Sequence, residues 1–119
     1  MEESCQVKKP NPRSSKAKGR RLQNLVRDLL KKAFPSLHDD DIKSQIMGVT
    51  GEDIVLSPHA QKKIPYSFEC KNVERLNIWN AIDQAESNSK KRTPVVVFKK
   101  NNKQPYVIMN LKQWLKLIK

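Results

Sequence analysis

Apolar residues recur at helical spacing along one long stretch in the first third of the chain. Leu22, Leu25, Val26, Leu29, Leu30 and Ala33 fall three and four positions apart, which predicts an amphipathic helix across RRLQNLVRDLLKKAF. Pro35 ends it, because proline cannot donate to the helical ladder. A polar turn follows through LHDDD, and then the period changes. DIKSQIMGV alternates weakly and predicts a strand, and Gly48 and Gly51 flank a turn. EDIVLS predicts a second strand stopped by Pro58, and IPYSFECK a third, rich in β-formers.

The helical period returns in NIWNAIDQAES, where Ile78, Ala81, Ile82 and Ala85 share a face. SNSKKRT is a basic loop. PVVVFKK is a short continuous apolar run, which predicts a strand buried on both faces. NNKQ is a turn, YVIMN another strand, and LKQWLKLIK a short closing helix. The order α, β, β, β, α, β, β, α predicts an α/β domain with a central mixed five-stranded sheet flanked by helices. No internal repeat is present.

Length and composition narrow the setting. With 119 residues and 37% apolar content, one small domain with a modest core is expected. No apolar run approaches the roughly 18 to 20 residues that span a bilayer. The first residues, MEESCQVKKPNPRSSKAKGRR, have no apolar stretch of the kind a secretory signal carries, so a soluble, cytoplasmic protein is expected. The two cysteines, Cys5 and Cys70, form no CxxC pair; reduced thiols are expected and a cysteine zinc site is not.

Charge changes the picture more. Lys and Arg number 24 against 12 Asp and Glu, a net +12 with histidine neutral. Such a balance favours a polyanion, with nucleic acid first among partners, because Lys and Arg release counterions from a phosphate backbone. An anionic membrane is the weaker expectation, since no basic amphipathic helix with large exposed apolar residues stands out. Residues 1–15 predict a disordered basic arm. Through Arg21 the chain carries seven basic residues and two glutamates, a net +5. Lys16, Lys18, Arg20 and Arg21, and the loop residues Lys90, Lys91 and Arg92, are candidate phosphate contacts. The alternative for each is a solvated surface charge.

The polar chemistry concentrates in two strands. In YSFECK, alternation puts Tyr66, Phe68 and Cys70 on one face and Ser67, Glu69 and Lys71 on the other. Packing accounts for the first set. A Glu and a Lys inside a central strand are costly to bury unless paired or bound to an ion. EDIVLS is joined to this strand by a connection short enough for an antiparallel neighbour, which would bring Asp53 toward Glu69. Two carboxylates at one spot repel, and a hard divalent cation such as Mg²⁺ or Mn²⁺ removes that repulsion. Metal, lysine and a basic surface together suit phosphodiester hydrolysis.

GEDIVLS followed by FECKN and IWNAIDQAESNS resembles the PD-(D/E)XK nuclease superfamily, and within it the small Holliday-junction-resolvase-like endonucleases of phages. The resemblance spans roughly residues 16–118, is strongest over 51–86, and includes KGRRLQNLV as the opening helix. It implies a restriction-endonuclease-like core over residues 16–119. It implies Asp53 and Glu69 as metal ligands with the Cys70 backbone carbonyl beside them, and Lys71 as the catalytic lysine. It further implies cleavage to a 5′-phosphate and a 3′-hydroxyl, branched DNA as substrate, and a homodimer, in a phage protein acting in the host cell or in a bacterial cytoplasm.

Two positions depart from that pattern. Glu52 stands where proline is usual, and by alternation it faces away from Asp53. Gln23 stands where the opening helix commonly carries a glutamate ligand, so it is either a weak neutral ligand or a positioning residue. Gln84 matches a polar position on the helix after the ExK triplet, with a solvated helix residue as the alternative. His38 receives no role; His59, in a loop after Pro58, is expected to be incidental, with a general base as the alternative. The DDD run at 39–41 predicts a turn or cap. Trp79 and Trp114 are expected in core or dimer packing, with base stacking as the alternative. Three rival readings remain: a nicking or sequence-specific endonuclease of the same superfamily, a catalytically inactive DNA-binding module, and an RNA-binding protein.

Overall fold

The computed structural model describes residues 12–119. The elements run α1 (Pro12–Ala33), a 3-10 turn (Asp39–Asp41), β1 (Ile42–Ser44), β2 (Ile54–Leu56), α2 (Pro58–Lys63), β3 (Tyr66–Asn72), α3 (Ile78–Ser89), β4 (Thr93–Lys99), β5 (Tyr106–Ile108) and α4 (Leu111–Ile118). The chain is thus an α/β domain, as its pattern predicts.

α1 starts earlier than its apolar stripe. Proline suits a first helical turn, where its missing N–H has no ladder partner. The polar turns that follow are anchored from outside. The Asn72 side-chain amide donates to the Lys18 carbonyl at 3.4 Å. Gly19 passes close to Met47, so that a Cβ there would lie 3.6 Å from the Met47 methyl carbon. Of the expected basic arm, residues 1–11 lie outside the described residues, and residues 12–15 belong to α1.

The five strands do not form one ladder. β1 and β2 pair antiparallel, with Ile42 opposite Leu56 and Ser44 opposite Ile54. β3, β4 and β5 form a second sheet, β3 parallel to β4 and β4 antiparallel to β5. The expected antiparallel β2–β3 pairing is replaced by a single backbone bond, Asp53 N–H to the Phe68 carbonyl at 2.9 Å. The cause lies in the connection. Ser57 caps the Ala60 N–H, Pro58 takes the first helical position, and PHAQKK winds into α2 instead of a hairpin turn. The expected first strand is also shorter: it ends at Ser44, and the chain then turns through Gly48, which has φ +88°.

β4 is buried on both faces, as its continuous apolar run predicts. Val95 and Val97 join Phe68, Cys70, Ile54, Leu56, Leu22 and Val26 in the larger core, under α1. Val96 points the other way and packs with Ala81 and Ala85 of α3. β3 therefore presents one apolar face to α1 and one mixed face to α3. Ile54 is fully buried at the base of the larger core, whereas Leu29 of α1 is 52% exposed. Ile54→Ala is expected to lower unfolding free energy by about 2–5 kcal/mol, and Leu29→Ala by less than about 1 kcal/mol, in urea titrations followed by circular dichroism.

Candidate active site

β3 lies against β4 along one edge and is open along the other. Asp53, immediately before β2, closes part of that open edge. Its N–H donates to the Phe68 carbonyl at 2.9 Å, and its Oδ2 accepts from the Cys70 N–H at 2.6 Å. Its own carbonyl accepts from the Gln45 N–H at 2.8 Å. Three bonds therefore fix the residue at the seam between the two sheets. Gly51, with φ +115° in the region that only glycine adopts cheaply, turns the chain into this position. This is the physical content of the Gly51–Asp53 spacing in GEDIVLS.

Cys70 uses its N–H toward that seam, and in extended backbone the carbonyl of the same residue points to the same edge. The carbonyl expected as a metal ligand thus faces the side on which Asp53 sits. The Cys70 thiol is buried on the α1 face, and burial, followed by the charges of Asp53 and Glu69, pushes it far up. A thiolate has no part in this site.

Glu69 and Lys71 lie on the opposite face of β3, toward α3. Glu69 is 7% exposed. Its Oε2 is 3.5 Å from Lys71 Nζ, while its Oε1 is buried without a hydrogen-bond partner. Burial, and then the charge of Asp53, push the Glu69 carboxyl above its ordinary range; Lys71 and Asn88 oppose the shift without cancelling it. Burial likewise raises Asp53, against the Cys70 N–H, Lys71 and Gln23, which favour its ionised form. A half-buried and a buried carboxylate thus feel each other, and the nearby lysine does not cancel the upward shift of either.

Gln23 of α1 reaches this region, as the resemblance implies. It is buried, it lies close enough to Asp53 to favour its charge, and its Oε1 has no partner. Among the described residues no three His, Cys, Asp or Glu side chains are grouped to hold an ion. The donor set is instead two carboxylates, a backbone carbonyl and an amide oxygen. All are hard oxygen donors, two are carboxylates, and Glu69 Oε1 and Gln23 Oε1 are buried without a hydrogen-bond partner. The set fits Mg²⁺ or Mn²⁺.

Lys71 is partly exposed and lines a shallow cleft with Arg75, Asn77, Asn80 and Gln84. Gln84 is thus brought beside Lys71, on the exposed side of α3. Lys16, Arg20 and Arg21 surround a second depression on α1, and Lys18 lies one residue along, tied by its carbonyl to Asn72. The basic turns of α1 are thereby held next to the end of the ExK strand. Lys90 and Lys91 are exposed beyond the end of α3.

Arg92 is a correction. Its guanidinium pairs with Glu52 at 2.7 Å and donates to the Tyr66 carbonyl at 3.1 Å, with both side chains largely buried. It is committed to the fold and is not a phosphate contact. The same pair explains Glu52, which turns away from Asp53 as alternation predicts. The DDD run is a turn, in which Asp41 accepts from the His38 N–H and the Ser57 hydroxyl. Trp79 and Trp114 are exposed and belong to neither core. Asn72 and Asn88 were not singled out from the sequence. Asn72 directly follows the ExK triplet on the α1 face, and Asn88 lies one helical turn beyond Gln84, so position alone held the signal.

Because its folded carboxyl holds the proton more tightly than the unfolded chain does, Glu69 stabilises the fold fully below its ordinary value of 4.5. That contribution is lost as pH rises through the raised folded value. Glu69→Gln cannot ionise and escapes the loss. Thermal melts in chelator from about pH 4 to about pH 8 should show the variant gaining on the parent as pH rises; a constant gap would contradict the burial of this charge.

No family model, curated protein or solved structure matches the chain, so the case for its chemistry rests on Asp53, Glu69, Lys71 and the residues around them.

Proposed function

We propose that the chain is a metal-dependent DNA endonuclease of the PD-(D/E)XK type, hydrolysing phosphodiesters with Asp53, Glu69 and Lys71. The observation that carries this reading is the pairing of an edge carboxylate, Asp53, with a buried carboxylate whose Oε1 lacks any partner, Glu69, beside a lysine that opens to a cleft. The restriction-endonuclease-like core belongs to the same proposal; the two hydrogen-bonded sheets, joined at Asp53, are its nearest counterpart. Branched DNA as substrate, a homodimer and action in the cytoplasm follow from the resemblance.

Asp53, Glu69 and the Cys70 carbonyl would hold Mg²⁺ or Mn²⁺, with Gln23 as a neutral fourth donor. A bound ion would neutralise the two carboxylates and polarise the phosphodiester. Lys71 is held by Glu69 on the cleft side, where its ammonium can donate to a non-bridging phosphate oxygen and stabilise the charge that develops in the transition state. Lys16, Lys18, Arg20 and Arg21 would track the backbone beside it, positioning the duplex without reading its bases. Lys90 and Lys91 extend the basic surface past α3.

One observation favours a second reading. Gln23 places a neutral amide where a charged ligand would bind an ion more tightly, which suits a DNA-binding module without activity. Incubation of a labelled four-way junction and its linear duplex with Mg²⁺, Mn²⁺ or chelator separates the two. Metal-dependent cutting is expected, and Lys71→Ala should reduce its rate by about 10²–10³-fold while DNA affinity stays near that of the parent. Tight binding without cutting in either metal would establish the inactive module, and Gln23→Glu would then be the substitution that restores cutting.

A further inference from the structure

α4 is amphipathic, yet none of its residues is buried. Leu111, Trp114, Leu115 and Ile118 follow one another at i, i+3, i+4 and i+7, so they form one stripe. Leu111 is 66%, Trp114 47% and Ile118 60% exposed. The remaining charges, Lys112, Lys116 and Lys119, run along one side of that stripe, and the helix has no acidic residue. A basic amphipathic helix with large exposed apolar residues, not expected from the sequence, is therefore present.

Next to it lies a concave apolar surface. Trp79, Ile82, Pro94, Val96 and Ile108 line a groove between α3 and β5, with Glu86 at its rim. Trp79 stands 74% exposed at its mouth. α3 is acidic in a chain of net +12: its charged residues are Asp83 and Glu86, with no Lys or Arg. The helix and the groove are thus both apolar and exposed, and opposite in sign. Leu111 alone among the α4 stripe residues reaches the groove of its own chain.

We propose that α4 of one copy of this chain seats its Leu111–Ile118 stripe in the α3–β5 groove of a second copy, and reciprocally. A two-fold arrangement uses both surfaces twice and leaves neither open. Lys112 and Lys116 then face Asp83 and Glu86 of the other copy, which offsets locally the repulsion between two strongly basic chains. Trp79 and Trp114, left out of both cores, become the apolar centre of the contact. The contact stands apart from the nuclease site, so its test needs neither metal nor DNA.

Sedimentation equilibrium of the full chain at about 150 mM salt should give twice the chain mass. Trp114→Glu is expected to weaken association by about 10²-fold, whereas Leu29→Glu, on the separate apolar surface of α1, should leave it unchanged. Glu86→Lys and Lys116→Glu should each weaken self-association by about fivefold. An equimolar mixture of those two variants should associate more tightly than either alone, because each α4 then meets a groove of opposite sign. A monomer at about 100 μM, or a dimer indifferent to Trp114→Glu, would overturn the proposal. So would a monomer that binds anionic vesicles through α4, since a lipid surface would then be the occupant.

Discussion

Asp53 is the residue on which the arrangement of this domain depends. It spends its backbone N–H and one carboxylate oxygen on β3, and its carbonyl on Gln45, the residue after β1. The Cys70 N–H, which a neighbouring strand would ordinarily satisfy, is satisfied by a side chain instead. A carboxylate in that role accepts a charge-assisted bond, stronger than one between neutral groups. It also brings a negative charge into a place where burial opposes it. The seam between the two sheets is therefore both a structural joint and a site of electrostatic strain, and the strain rises with Glu69 on the adjacent strand.

The strain has a direction. Lys71 supplies one positive charge near two carboxylates, and Glu69 still has an oxygen without a partner. Arg92, which could have supplied another, is held away by Glu52. The surrounding surface is basic, with charges on α1, beyond α3 and at Arg75 in the cleft beside Lys71, yet the only cation paired with Glu69 among the described residues is Lys71. A domain with many cations thus leaves its innermost carboxylates short of one. In the proposed function, a divalent ion would restore the balance, and a phosphate brought by the basic surface would complete it.

Much of this was legible in the sequence, and the limits have physical reasons. The faces of β3 followed from alternation, and the burial of β4 on both faces followed from its continuous apolar run. α3 and the core of α1 followed from apolar period. The extension of α1 to Pro12 was not legible, since its first turns are polar and carry no apolar stripe. α2 is legible in Ser57 and Pro58, because the proline that stops a strand also suits the first turn of a helix capped by the serine. The single five-stranded sheet failed for the same reason, because a helix between β2 and β3 removes the hairpin that would have paired them. In the site, residue types and spacing pointed to Asp53, Glu69 and Lys71. Arg92 could not be told from its basic neighbours, because an ion pair with Glu52, forty residues away in sequence, leaves no local trace.

Titration of Mg²⁺ into the metal-free chain, followed by calorimetry, tests the central claim most directly. The account predicts saturable binding that Asp53→Asn and Glu69→Gln each weaken by at least about tenfold, with circular dichroism showing the fold retained. No binding at about 10 mM Mg²⁺, or an affinity that neither substitution changes, would contradict it.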